Sequence, residues 1–145
     1  MNVKTILAAK QRGGDTVCIE PTADLAAAAA LLKKHGIGAV VIRGAGNRLA
    51  GILSERDIVR ALAEHGAAAL SLPVGQVMTR DVVTCGEDDS CASVMEQMTA
   101  RKIRHLPVMR GGRLVGLISI GDVVKQRVDE VERESEAMRE YIRTA

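Results

Sequence analysis

The 145-residue chain has no Trp and no Phe, and its one Tyr is Tyr141. The aromatic platform on which single-strand nucleic-acid binders stack bases is therefore missing. The core must be assembled from Ala, Val, Ile, Leu and Met. An excess of one charge is lacking too. Twenty basic and 18 acidic residues leave a net +2, which argues against a strongly electropositive duplex-binding face while leaving room for a local basic pocket. The longest uncharged stretch, residues 66–79, is too short to span a bilayer and holds Pro73 and two glycines, so no transmembrane helix is expected. Met1-Asn2-Val3-Lys4 does not open a signal-peptide layout, which makes the cytoplasm the expected location. The three cysteines, at 18, 85 and 91, form no C-x-x-C pair; neither a disulfide framework nor a zinc knuckle is suggested, and buried free thiols are expected. No ligand spacing joins His35, His65 and His105, so no metal site is expected. No nucleophile–base pair, P-loop or glycine-rich dinucleotide fingerprint occurs. An enzyme is therefore not expected.

What the chain does have is a globular composition, 47% hydrophobic and 26% charged, and an internal repeat. Residues 15–44 align with 81–110 at an offset of 66: Asp15 with Asp81, Val17 with Val83, Ala26 with Ala92, Ile37 with Ile103. One residue is then lost in a turn. At an offset of 65, Gly46, Arg48, Leu49, Gly51, Ser54, Asp57 and Val59 match Gly111, Arg113, Leu114, Gly116, Ser119, Asp122 and Val124. A leader precedes each half, from Val3 and from Val74.

Each half reads as β-α-β-β-α. A short strand (16–19; 82–85) precedes a helix N-capped by Asp24 or Ser90 and running to about His35 or Arg101. Gly36 ends the first copy as a left-handed cap would. A buried strand follows (39–43; 106–110), then a turn at residues 44–47 or a two-residue Gly111-Gly112 hairpin. A third strand (48–53; 113–118) leads into a closing helix (55–65; Ile120 onward). About 50 residues make a poor independent core, so the two copies should pack as one globule. Residues 66–76, small and apolar with Pro73, read as a folded connection.

On these motifs each half resembles a CBS domain, and the pair resembles a Bateman module. The resemblance rests on Gly51-Ile52-Leu53-Ser54-Glu55-Arg56-Asp57-Ile58-Val59, on Gly116-Leu117-Ile118-Ser119-Ile120-Gly121-Asp122-Val123-Val124, and on Lys102-Ile103-Arg104-His105-Leu106-Pro107-Val108. The counterpart of the last run has Val41 where proline is usual. The resemblance implies an α/β fold of tandem β-α-β-β-α repeats, repeat 1 with its leader at 3–66 and repeat 2 with its leader at 74–131; residues 132–145 run past it and read as a C-terminal helix extension. It also implies a regulatory ligand that contains adenosine. AMP or NAD(H) is the favoured choice, with ADP, ATP and S-adenosylmethionine taken by other members. It further implies a homodimer whose four CBS repeats form a disk. The chain resembles the stand-alone bacterial CBS pairs, which implies an unknown regulated protein as its partner.

The implied site residues have a chemistry of their own. In Ser-x-x-Asp at a strand-to-helix turn, the helix N-terminus and the Ser54 or Ser119 hydroxyl suit a phosphate. The Asp57 or Asp122 carboxylate can accept both hydroxyls of a ribose. The same signature is also a capping box, and the two roles are compatible. Arg56 is either a phosphate fork or a solvated helix charge. Arg104 and His105, ahead of Pro107, can reach a ligand or stay partly exposed. Cys18, Ile19, Thr84, Gly38 and Ala39 would form a purine slot or serve as ordinary core. Repeat 1 has Gly38 and Ala39 where repeat 2 has Arg104 and His105, so the two sites should differ. The rival readings are a dimeric interaction module with empty or degenerate sites, and nucleic-acid binding through residues 101–113, which the near-neutral charge argues against.

Past the second repeat, Val124, Val128, Val131, Met138 and Ile142 recur at steps of four and three, interrupted by Ser135. That is a narrow seam of about 3.5 residues per turn. It predicts a helix that packs either on a partner subunit or on its own.

Overall fold

A computed structural model describes residues 1–10 and 16–144. Asp15, which opens the repeat alignment, and Ala145, the last residue of the extension, lie outside the described residues. The elements are α1 (Val3–Lys10), β1 (Cys18–Ile19), α2 (Leu25–His35), β2 (Ala39–Arg43), β3 (Leu49–Ser54), α3 (Glu55–His65), α4 (Val74–Val77), β4 (Cys85–Gly86), α5 (Cys91–Arg101), β5 (His105–Arg110), β6 (Arg113–Ser119) and α6 (Ile120–Thr144). The connection after α3 is a 3-10 turn, Gly66–Ser71. Two three-stranded sheets result, ordered β1-β2-β3 and β4-β5-β6. In each, the first pair is parallel and the second antiparallel.

The helix boundaries follow from their caps. Asp24 accepts from the Ala27 amide at 2.8 Å, and Ser90 accepts from the Ser93 amide at 3.0 Å; each satisfies a donor that the first turn leaves orphaned. Gly36 ends α2 with φ +61°, whereas Lys102 ends α5 at φ +55°, a left-handed position that costs a side chain more than it costs glycine.

The first strand of each half is shorter than the sequence pattern predicts, and the two copies are out of step. β1 pairs Cys18 with Val41, while β4 starts one register later, pairing Cys85 with Val108. The reason lies in the neighbour. Val41 donates its amide to the Val17 carbonyl at 3.4 Å; its counterpart Pro107 has no N–H to donate, so pairing at Thr84 is lost.

Two hydrophobic cores form, one per repeat, and each leader helix is built into the core of the other repeat. Val3, Ile6 and Leu7 of α1 are buried with Val94, Met98, Leu106, Val108 and Ile118. Val74 of α4 is buried with Leu25, Leu32, Val40, Ile42 and Leu53. The attachments are equivalent. The Val3 and Lys4 amides donate to Asp89 and Glu87 carbonyls at 2.9 and 3.0 Å, and the Val74 and Gly75 amides donate to Ala23 and Pro21 carbonyls at 2.8 and 3.0 Å. The matched glycines Gly51 and Gly116 are where a leader passes over a third strand. A Cβ on Gly51 would lie 2.6 Å from Met78 Sδ and 2.7 Å from the Thr79 carbonyl, and one on Gly116 would lie 2.5 Å from Leu7 Cδ2.

Candidate functional site

This exchange of leaders places the end of α1 beside the start of α6 and opens a cleft between the repeats. Its volume is about 940 Å³, within the range of roughly 300–1,000 Å³ common for small-molecule sites. One wall comes from repeat 1: Thr16, Val17 and Cys18 entering β1, the turn from His35 to Ala39, and Arg43 with Asn47 further out. The facing wall comes from repeat 2: Leu114, Val115, Gly116 and Leu117 of β6, with His105, Ser119 and Asp122; Leu7 and Lys10 of α1 complete it.

Both Ser-x-x-Asp turns are capping boxes. The Ser119 amide donates to Asp122 Oδ2 at 2.8 Å, and the Asp122 amide donates to Ser119 Oγ at 3.2 Å. In repeat 1 the equivalent bonds are 2.9 and 3.4 Å. Their surroundings differ. Asp122 faces the cleft and is half-buried. Asp57 is buried, 8% exposed. It accepts additionally from the Ser54 hydroxyl at 3.2 Å and borders a smaller hollow of about 190 Å³ with Arg60, Glu64, His65 and Gln76.

Lys10 is the residue that sequence reasoning missed. Its ammonium donates to Asp122 Oδ2 and to the Leu117 carbonyl, both at 2.7 Å. Burial pushes the Asp122 carboxyl up. The Lys10 bond and the Ser119 bonds outweigh it and hold the group below the usual carboxylate range. His105 lies over Gly38 of the other repeat; a Cβ there would sit 3.4 Å from its ring. Burial, then the Lys10 charge, lowers the His105 pKa against the opposing pull of Asp122 and Glu55. The imidazole is therefore neutral at pH 7 and carries one donor and one acceptor.

Of the sequence-predicted site residues, the structure brings Cys18, Gly38, Ala39, His105, Ser119 and Asp122 together on the cleft. The others stand elsewhere. Ile19 packs against the first core. Ser54 and Asp57 form the separate repeat 1 cap. Arg56, Thr84 and Arg104 are exposed, and Pro107 is buried within β5. In Arg104 it is the carbonyl that has a fixed role, accepting from the Ile120 amide at 2.8 Å. The three cysteines divide as well. Cys18 lines the cleft, whereas Cys85 and Cys91 are buried, and burial with the nearby Asp89 charge pushes the Cys85 thiol up to about 12, where little reactive thiolate forms. Among the described residues no cluster of three His, Cys, Asp or Glu could hold a metal ion, and no helix is long and apolar enough to cross a membrane.

Two repeats of one fold, each carrying a serine-to-aspartate turn and facing each other across a cleft, define a tandem-repeat α/β architecture, and comparison with known proteins supplies the family. The chain belongs to the CBS-domain family, whose model matches residues 13–64 and 74–129. It is similar to the mitochondrial CBS domain-containing protein CBSX3 of Arabidopsis thaliana, 35% identical over 115 residues, which are 77% of this chain and 56% of that relative. The chain thus spans little more than half of that relative's length. Among solved structures, the CBS-domain protein ATU1752 of Agrobacterium tumefaciens superposes with a TM-score of 0.83 at 45% identity, covering 88% of this chain and 99% of that one. PAE2072 of Pyrobaculum aerophilum, solved with AMP, gives a TM-score of 0.74 at 28% identity over 84% and 89% of the two chains. The CBS pair of MJ0100, solved with 5-methylthioadenosine and S-adenosyl-L-methionine, gives 0.78 at 27% identity over 90% and 98%.

Proposed function

We propose that this chain is a regulatory module that binds an adenosine-containing nucleotide in the inter-repeat cleft. AMP or NAD(H) is favoured, with ADP and ATP as further candidates, and the module works as a homodimer of four CBS repeats that modulates a partner protein. One observation carries this reading. Asp122, at the start of α6, faces a cleft whose opposite wall is made of Cys18, Gly38 and Ala39. Asp122 Oδ2 already takes the Ser119 amide and Lys10, so Oδ1, which among the described residues accepts no hydrogen bond, is the oxygen offered to a ribose hydroxyl. The second hydroxyl reaches Oδ2 when Lys10 swings aside. Small residues on the facing wall leave room for a flat base, and neutral His105 can donate to or accept from its edge. The bound ligands of PAE2072 and MJ0100 share the adenosine moiety, the part of the ligand that this arrangement addresses. The dimer reading draws on the exposed apolar residues Val59 and Leu62 of α3 and Val124 and Val128 of α6.

A binding-dependent change in the protein acts through differential affinity between states. Here the element that moves with the ligand would be α1, tied to Asp122 through Lys10. A thermal-shift panel of AMP, ADP, ATP, NAD(H) and S-adenosylmethionine tests the reading, because a ligand that binds only the folded state raises Tm. AMP or NAD(H) is expected to raise it in the parent protein. Asp122→Asn, which can still accept from the Ser119 amide, should lose the shift, since a charge-assisted bond is worth about 1.5–3 kcal/mol. If no member of the panel moves Tm, the nucleotide reading falls and the interaction-module reading replaces it.

A further inference from the structure

Helix α6 runs for 25 residues, about 37 Å at 1.5 Å per residue. Its first turns lie on the body of the protein, where Val123 is buried; residues 131–144 are exposed throughout. A free helical stretch of that length is marginal in water. It also carries apolar side chains that none of the described residues covers: Val124 is 44% exposed, Val131 50%, Met138 60% and Ile142 68%. They fall on one heptad frame. Val128, Ser135 and Ile142 take the a positions, and Val124, Val131 and Met138 the d positions.

The flanking charges say what covers this seam. Arg127 and Glu134 occupy g positions, and Lys125, Glu132 and Arg139 occupy e positions. In a parallel, in-register pair each g residue faces the e residue five positions on in the other helix. Arg127 then meets Glu132, and Glu134 meets Arg139, so every such pair is opposite in sign. A fully overlapped antiparallel pair, with Val128 opposite Met138, brings Glu132 against Glu132, Glu134 against Glu134 and Lys125 against Arg139. Every one of those pairs repels. Arg127 already donates to Glu130 at 2.7 Å within its own helix, but its planar fork keeps further donors for Glu132.

We infer that α6 forms a parallel, in-register coiled coil with α6 of a second copy of this chain. Ser135 is its one polar core layer and Arg127–Glu132 and Glu134–Arg139 are its lateral ion pairs. This deepens the homodimer reading above and rests on it. The coil sets the two modules side by side, with both α6 starts, and hence both Asp122 clefts, at the same end of the shared axis.

The experiment is disulfide trapping in the full chain. In the parallel register residue 135 meets itself across the axis, so Ser135→Cys should cross-link efficiently under mild oxidation. Arg133→Cys, at an outward f position, should cross-link no more than the parent with its three native cysteines. As a second arm, Glu132→Arg should raise the dimer dissociation constant roughly three- to tenfold, in keeping with exposed ion pairs, and adding Arg127→Glu should restore it. If light scattering gives a dimer but position 135 does not trap, or traps no better than 133, or the charge swap fails to restore, the coil is wrong and the dimer reading survives. If light scattering gives a monomer at all working concentrations, both fall.

Discussion

Lys10 donates to the carboxylate oxygen of Asp122 that already accepts the Ser119 amide, so an incoming diol must compete with it. Adenosine isolates that competition, because it has no phosphate to be attracted by the ammonium. Lys10→Met should therefore bind adenosine several-fold more tightly than the parent, read by calorimetry. The pair is partly exposed, 40% on the Lys10 side, so its loss should cost stability only about 1 kcal/mol or less. His105 makes a second residue-level prediction. Burial, then Lys10, lowers its pKa in the fold, and the unfolded chain therefore binds the proton more readily. Stability contributed by neutral His105 is fully present above the ordinary histidine value of about 6.5 and is lost as pH falls through that value toward the lower folded one. Asp122 has the opposite chemistry and a separate window. Its carboxyl is depressed, so its contribution is present above the ordinary aspartate range and disappears only in stronger acid. Urea midpoints measured from pH 8 to 5 should fall in the parent protein and flatten in His105→Gln. A profile unchanged by that substitution would remove His105 from the account.

At the scale of elements, the third strands are governed by what crosses them. Gly51 is roofed by the Thr79 carbonyl, which is backbone, and Gly116 by Leu7 Cδ2, the end of a side chain that can turn. Overpacking costs typically about 1–3 kcal/mol. Gly51→Ala should fall at the upper end and Gly116→Ala at the lower, as measured by urea denaturation, and the reverse order would mean that the strap over β3 yields more easily than its backbone bonds suggest. The same crossings show what was legible in the sequence. The helices were, because Asp24, Ser90, Ser54 and Gly36 announce their ends by local chemistry, and α3 falls on residues 55–65 as its motif predicts. The Gly111-Gly112 hairpin was legible too, with φ of +54° and +79° as such a turn requires. The first strands were not. Their limits depend on whether the neighbouring strand can donate at Val41 or Pro107, a tertiary matter. The exchange of leaders was not legible either, since Val3 and Val74 offer the same apolar residue to equivalent attachment points and nothing local says which repeat receives which helix. Lys10 was hidden for the same reason: its partner Asp122 is 112 residues away.

For the whole molecule, two matched repeats would generate two matched clefts, and side chains at equivalent positions break that symmetry. Over β3, the Thr79 amide closes on the Ile52 carbonyl at 2.9 Å, and the Thr79 carbonyl accepts the Ile52 amide at 3.1 Å. Over β6, the equivalent carbonyl of Leu117 is held by the Lys10 side chain. The turn entering the slot is Gly36-Ile37-Gly38-Ala39 on the open side, but Lys102-Ile103-Arg104-His105 on the other, where Lys102 and Arg104 bring two large cations. Asp57, meanwhile, takes the Ser54 amide and hydroxyl on one oxygen and is nearly closed to solvent. On the proposed reading the Ser119–Asp122 turn takes the ligand as well as capping its helix, and the Ser54–Asp57 turn serves as a cap alone. Calorimetric titration with AMP should accordingly give one site per chain, hence two per dimer. Asp57→Asn should leave the affinity and stoichiometry unchanged while lowering stability by about 0.5–2 kcal/mol, the range for a weakened helix cap. Asp122→Asn should remove the binding isotherm with a smaller change in stability. Two molecules of AMP per chain, or an Asp57→Asn protein that loses half its sites, would show that the repeats work as equals despite their different residues.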